Sequence, residues 1–126
     1  MAGGSTCGGI LVVDDDPDIR ESLREVLEDE GYEVACVGNG REALDHLKAA
    51  SPPPCVILLD LMMPVMDGWQ FRAEQLRDAA LRNIPVVVMT ASRGINREDL
   101  GDAEVLQKPV GLGDILEAVA RNALQA

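Results

Sequence analysis

The sequence predicts an α/β protein: a doubly wound, five-stranded parallel sheet with helices on both faces. Three observations predict it. Short continuous apolar runs rich in Val, Ile and Leu occupy 10–13, 55–59 and 85–89; they are too short for helices and suit strands buried on both faces. The stretches between them carry apolar residues at helical spacing. The two kinds of segment alternate along the chain, which implies parallel strands joined by right-handed crossovers.

Each element has its own signals. After the first run, 17–30 places Ile19, Leu23, Val26 and Leu27 on one helical face. Asp16 is an N-cap, Pro17 suits the first helical position, and Gly31 suits the C-terminal stop. A weaker strand is expected at 32–37. The next helix, 41–50, buries Ala43, Leu44 and Leu47 and ends at the Ser51–Pro54 stretch. After the run at 55–59, a helix over 68–81 has a looser stripe of Trp69, Arg72, Leu76 and Ala80. The run at 85–89 is followed by the weakest segment, 91–103, with only Ile95 and Leu100 as large apolar residues. A short, poorly packed helix or an irregular loop is expected there. A short strand at Glu104–Gln107 precedes a helix at 112–124, with Ile115, Leu116, Val119, Ala120 and Ala123 on one side.

Composition narrows the function. The chain has 126 residues, 47 % hydrophobic and 26 % charged, which suits one globular core. Eleven basic against 22 acidic residues give a net charge of −11, a surface that repels nucleic acid and anionic membrane. Aromatics are 2 %, so there is no platform for stacking bases. One histidine and three cysteines without a CxxC pair leave too few ligands for a Cys/His zinc site. Cys7, Cys36 and Cys55 are read as small apolar filler in a reducing cytosol. No apolar run approaches the length of a membrane span, and the start has no basic residue ahead of an apolar stretch. The expectation is a cytoplasmic protein, a flexible Gly/Ser tail over 1–9 and one domain over 10–126. Met1 and a completed final helix favour a stand-alone form.

The C-terminal ends of the strands carry the chemistry. The first ends in Asp14-Asp15-Asp16, the third in Asp60, the fourth in Thr90 and the last in Lys108-Pro109. In an open parallel sheet these ends share one edge, where ligands bind. Asp14, Asp15 and Asp60 together form an all-oxygen site suited to a hard cation such as Mg²⁺. Lys108 adds a positive charge for an anionic group, and Thr90 adds a hydroxyl donor. Together they suit the acceptance of a phosphoryl group on an aspartate. There is no Gly-x-x-x-x-Gly-Lys-Ser/Thr loop, so the donor is not a nucleotide held by such a loop.

Four motifs carry a resemblance: Ile10-Leu11-Val12-Val13-Asp14-Asp15-Asp16, Leu58-Leu59-Asp60-Leu61-Met62-Met63-Pro64-Val65-Met66-Asp67-Gly68, Pro85-Val86-Val87-Val88-Met89-Thr90-Ala91 and Gln107-Lys108-Pro109. In this order the chain resembles the receiver domain of two-component response regulators from residue 10 to about 124. The resemblance implies a flavodoxin-like sheet of order 2-1-3-4-5. It implies that Asp60 accepts a phosphoryl group from the phosphohistidine of a histidine kinase or phosphotransfer protein. Asp15 binds Mg²⁺ directly, Asp14 partly through water, and Met62 through its backbone carbonyl. Thr90 and the Ala91 N–H bind phosphoryl oxygens, Lys108 pairs with Asp60 or its phosphate, and Pro109 fixes the turn through a cis bond. Asp67-Gly68 makes the tight turn into the third helix. Signalling then runs through phosphorylation-dependent protein contacts. The domain modifies only itself and is not a turnover enzyme.

Two departures stand out. The usual aromatic three residues before the site lysine is Val105 here. Thr90 and Lys108 are 18 positions apart, roughly one helical turn fewer than the family shows. The family's fourth helix is therefore expected to be shortened or irregular, and its output face remodelled or mobile. Two alternatives stay open. Val105 and the short connection favour a pseudo-receiver acting as a docking scaffold. An Mg²⁺-dependent aspartyl phosphohydrolase is disfavoured, because Met62 stands where its acid/base aspartate belongs. His46, on the polar side of the second helix, is read as a surface residue, Met62, Met63 and Met66 as loop packing, and Trp69 as a cover near the site entrance.

Overall fold

The computed structural model describes residues 8–123. In chain order the elements are β1 (Ile10–Val13), α1 (Pro17–Asp29), β2 (Val34–Val37), α2 (Gly40–Ala49), β3 (Val56–Asp60), α3 (Gly68–Arg77), β4 (Val86–Thr90), a 3₁₀ turn (Arg97–Leu100), β5 (Glu104–Gln107) and α4 (Leu112–Ala123). The strands form one sheet in the order β2-β1-β3-β4-β5, every pair parallel.

Alternation along each strand splits the core in two. Leu11, Val13, Ile57, Leu59, Val86 and Val88 face one side and pack with α2 and α3 through Ala43, Leu44, Leu47 and Phe71. Ile10, Val12, Val56, Leu58, Val87 and Met89 face the other and pack with α1 and α4 through Leu23, Leu27, Ile115, Ala118 and Val119. Full burial of each such Leu or Ile stabilises by roughly 1.5–3 kcal/mol. In α4, Ala118 takes the buried place expected for Ala120, which is exposed.

The local signals act as expected in α1. Asp16 caps it by accepting from the Asp18 N–H, Pro17 opens it, and Gly31 follows its end with φ +94°. The expected tail falls mostly on residues outside the description, as does Cys7. Gly8 and Gly9 are hydrogen-bonded to Pro53 and Cys55. Cys36 is a free thiol, whereas Cys55 is disulfide-bonded, so the reading of the cysteines as filler fails at Cys55.

The third helix differs most from its expected stripe. It ends at Arg77, where Asp78 turns extended and donates its N–H to the Gln75 carbonyl. Its buried side chains are Phe71, Arg72 and Gln75, while Trp69 and Leu76 are partly buried and Ala80 is exposed. The reason is a polar network. Arg72, 1 % exposed, donates from Nε to the Leu100 carbonyl at 2.7 Å, from Nη1 to Gln75 Oε1 at 2.8 Å and from Nη2 to Asp102 Oδ1 at 2.8 Å. Gln75 in turn donates to the carbonyls of Leu81 and Ile84, both at 3.0 Å. A buried guanidinium with every acceptor in place is a clamp between α3 and the β4–β5 connection.

That connection is short and irregular, as expected, but it is not poorly packed. Its single 3₁₀ turn ends in Leu100, which is fully buried, and Ile95 packs against the core beside it. Asp102, by contrast, is exposed, so the desolvation cost of its ion pair falls on the buried Arg72, whose pKa burial lowers and Asp102 partly restores.

Arg72→Ala opens a cavity and strands the Leu100 carbonyl and the Gln75 amide. It is expected to lower the unfolding free energy by about 2–4 kcal/mol in denaturant titration. Arg72→Leu, which fills the volume and brings no charge inside, is expected to cost less.

Candidate functional site

Parallel register builds the site. Val13 lies level with Leu59, and Asp60 lies level with Met89, the residue before Thr90. Thr90 is paired with Gln107. Asp14, Asp60, Thr90 and Lys108 therefore leave the sheet on one edge from four neighbouring strands.

Carboxylate oxygens of Asp14, Asp15 and Asp60 lie within 4.8 Å of one another. Lys108 Nζ stands 3.9 Å from Asp14 Oδ2 and 3.8 Å from Asp60 Oδ1. Asp14 and Asp60 are buried, Asp15 is exposed, and Thr90 is fully buried. Asp14 Oδ1 accepts from the Asp16 N–H at 2.9 Å, but its buried Oδ2 has no hydrogen-bond partner. An orphaned carboxylate oxygen aimed among two other carboxylates is what a hard cation satisfies. Asp14, Asp15 and Asp60 are the residues that could hold one.

The electrostatics agree. Burial pushes the Asp14 carboxyl above the usual carboxylate range, and the neighbouring Asp60 charge adds to the rise. Burial likewise raises Asp60, while Lys108 and the Met62 N–H oppose it. Two carboxyls whose ionisation is opposed by burial and by one another's charge gain most from a positive charge placed between them.

The remaining expected residues are distributed around this centre. The Met62 N–H donates to Asp60 Oδ1 at 3.4 Å. Its side chain is 61 % exposed, so the reading of Met62 as loop packing fails, whereas Met63, Met66 and Trp69 do pack on the core. Thr90 Oγ1 accepts from the Ser92 N–H at 3.0 Å, and Ala91 is exposed just beyond it. The Thr90 carbonyl accepts from the Lys108 N–H at 2.8 Å and from Gln107 Nε2 at 3.1 Å. The Lys108–Pro109 peptide is cis. Behind Lys108 runs an apolar groove of about 630 Å³ between α1 and α4, lined by Ile19, Leu23, Met89, Ala91, Lys108 and Leu112 among others.

One supporting residue, Arg20, escapes a reading of motifs alone. Arg20 Nη1 donates to the Asp14 carbonyl at 2.7 Å and fixes the strand end that carries the acids. Its only signal is a cation between the apolar positions Ile19 and Leu23. Gly68 opens α3 after the Asp67 cap, which shares a capping box with Gln70. A Cβ at Gly68 would lie 2.7 Å from both the Asp60 carbonyl oxygen and the Leu61 Cα. Only glycine lets α3 begin against the end of β3.

With this geometry in hand, comparison with known proteins is decisive. The family model for the response regulator receiver domain matches residues 10–120. The chain belongs to that family. The receiver is 39 % identical over 121 residues to response regulator Rre1 of Synechocystis, covering 91 % of this chain and 51 % of the relative. It is 41 % identical over 111 residues to response regulator MprA of Mycolicibacterium vanbaalenii, covering 85 % of this chain and 46 % of that one. The chain thus spans about half the length of these relatives. Among solved structures, the receiver domain of a signal transduction histidine kinase from Syntrophus aciditrophicus matches with a TM-score of 0.83 at 31 % identity, over 94 % of this chain and 91 % of that one. Chemotaxis response regulator CheY4 of Vibrio cholerae matches with a TM-score of 0.80 at 30 % identity, over 93 % and 99 %. This receiver is a two-component signalling domain with the flavodoxin-like sheet that its motifs imply. Among the described residues no helix is long and apolar enough to cross a membrane.

Two measurements test the site. Because the folded-state carboxyl pKa values of Asp14 and Asp60 are raised, the native state holds protons that the unfolded chain releases as pH climbs above about 4. Without divalent cations, their contribution to stability therefore falls as pH rises from there through the raised values. Asp14→Asn and Asp60→Asn are expected to flatten that decline in thermal melts recorded across pH. Gly68→Ala is expected to cost about 1–3 kcal/mol in denaturant titration, because the end of β3 or α3 must shift.

Proposed function

We propose that this receiver accepts a phosphoryl group on Asp60 from the phosphohistidine of a histidine kinase or phosphotransfer protein. The observation that carries the reading is the crowding of Asp14, Asp15 and Asp60 within 4.8 Å with the Lys108 ammonium beside them. A carboxylate oxygen of Asp60 attacks phosphorus, the N–P bond of the phosphohistidine breaks, and the imidazole leaves. Lys108 steadies the incoming negative charge, while the Thr90 hydroxyl and the Ala91 N–H donate to phosphoryl oxygens. Asp15, Asp14, Asp60 and the Met62 carbonyl would hold Mg²⁺, which supplies charge neutralisation at the phosphoryl oxygens.

The signal is then a change in protein contacts, and the domain modifies only itself. Retention of the acids with Lys108 and Thr90 favours this reading over a constitutive scaffold. The exposed Met62 offers no proton for hydrolysing other phosphate esters. The reading carries a cytoplasmic location with it, since phosphohistidine donors are charged from ATP there. The Cys55 disulfide is the one feature that does not favour a reducing compartment.

Incubation with Mg²⁺ and acetyl phosphate, followed by intact mass, tests it. One phosphoryl adduct is expected, absent in Asp60→Asn and absent with EDTA. Lys108→Ala is expected to slow adduct formation by roughly 10²-fold. An adduct that persists in Asp60→Asn, or none in the wild type, overturns the proposal.

A further inference from the structure

The peptide that joins Thr90 to Ala91 is held from one side and open on the other. Its carbonyl points towards β5, where it accepts from the Lys108 N–H at 2.8 Å and from Gln107 Nε2 at 3.1 Å. The bond is trans, since the cis peptides lie elsewhere. A planar trans peptide sets its N–H opposite its carbonyl, so the Ala91 N–H points away from β5 and towards β3. The β3 residue level with Met89 is Asp60. Among the described residues the Ala91 N–H has no acceptor of its own.

The Lys108 N–H alone would satisfy the Thr90 carbonyl, so the glutamine bond is a second one. Gln107 is the last residue of the edge strand β5, directly opposite Thr90 and exposed. Reaching back to a neighbouring strand costs such a side chain rotamer freedom that it would keep in water. Two donors fix the plane of a peptide in two directions, where one leaves it free to tilt. They also draw electron density onto the carbonyl oxygen, which makes the N–H at the other end of the same peptide a stronger donor. Beyond Ala91 the chain is held again, because Thr90 Oγ1 accepts from the Ser92 N–H at 3.0 Å.

We propose that Gln107 is a positioning residue for phosphoryl uptake: its side-chain amide, together with the Lys108 N–H, holds the Thr90–Ala91 peptide so that the Ala91 N–H faces the oxygens of a phosphoryl group arriving at Asp60. This role rests on Asp60 being the phosphoacceptor; the direction of the peptide does not. Gln107 acts through the peptide alone.

The test compares the full chain as wild type, Gln107→Met and Gln107→Ala, each prepared with isotope-labelled alanine for amide NMR. Methionine keeps the length of the glutamine side chain and removes its donor. Mg²⁺ and acetyl phosphate are added, Asp60 displaces acetate from phosphorus, and intact mass gives the rate of adduct formation. The Ala91 amide signal, identified by its loss in Ala91→Gly, is followed in the same samples, and thermal melts record stability. Both variants are expected to melt close to wild type, because Gln107 is exposed. They are expected to form the adduct roughly three- to tenfold more slowly. The Ala91 amide proton, expected to move downfield when the wild type is loaded, is expected to move less in both variants. Wild-type rates in both variants overturn the positioning role and leave the acceptor reading intact. So do slower rates with a lowered melting midpoint and an Ala91 shift equal to wild type, which assign Gln107 to stability alone. No adduct in the wild type overturns the acceptor reading and, with it, the role of Gln107.

Discussion

Three carboxylates pressed together at the end of a parallel sheet set the terms for the rest of this molecule. Asp14 is almost fully buried, one of its oxygens has no hydrogen bond, and its neighbours are acids. Such a site is unfavourable in isolation, because burial and like charge both oppose ionisation. The fold tolerates it by surrounding the acids with compensations. Lys108 is delivered from β5, the Asp16 N–H supports one oxygen, and Arg20 pins the carbonyl behind. The apolar strands buried on both faces hold these groups in register, so relaxation of the crowded acids is blocked by the core itself.

The second constraint lies on the far side of β4. The connection from β4 to β5 holds only a single 3₁₀ turn, which packs beside α3. Arg72 and Gln75, joined to each other, form a polar network there that grips four further acceptors: the carbonyls of Leu100, Leu81 and Ile84 and the Asp102 carboxylate. The result couples α3, which begins against Asp60, to the segment that runs from Thr90 to Lys108. Both halves of the acidic site are thus braced against one helix.

Much of this was legible in the sequence, and for physical reasons. Strands buried on both faces read as unbroken Val, Ile and Leu runs, and their C-terminal residues converge by topology alone, so Asp14, Asp60, Thr90 and Lys108 could be grouped before any coordinates. Asp16, Pro17 and Asp67 act within one helical turn, which makes caps readable. What stayed hidden depends on contacts distant in sequence. Helical spacing places Arg72 on the inward stripe but cannot reveal its acceptors Leu100 and Asp102, some thirty positions away, and it gives no sign that Gln75 is buried against the Leu81 and Ile84 carbonyls. Phe71 takes the buried place that Trp69 was expected to hold, since the helix is rotated to bury that network. Exposure of Met62 and the bond at Cys55 likewise follow from tertiary placement, which composition does not encode.

The single tryptophan occupies a useful place in this frame. Trp69 follows directly on Gly68, in the first turn of the helix that starts against the end of β3, and its ring is only partly covered. Its indole therefore sits within a few bonds of the backbone that abuts Asp60 and Leu61. With no other tryptophan in the chain, ultraviolet emission from this one ring gives the domain a native optical reporter, free of any attached dye.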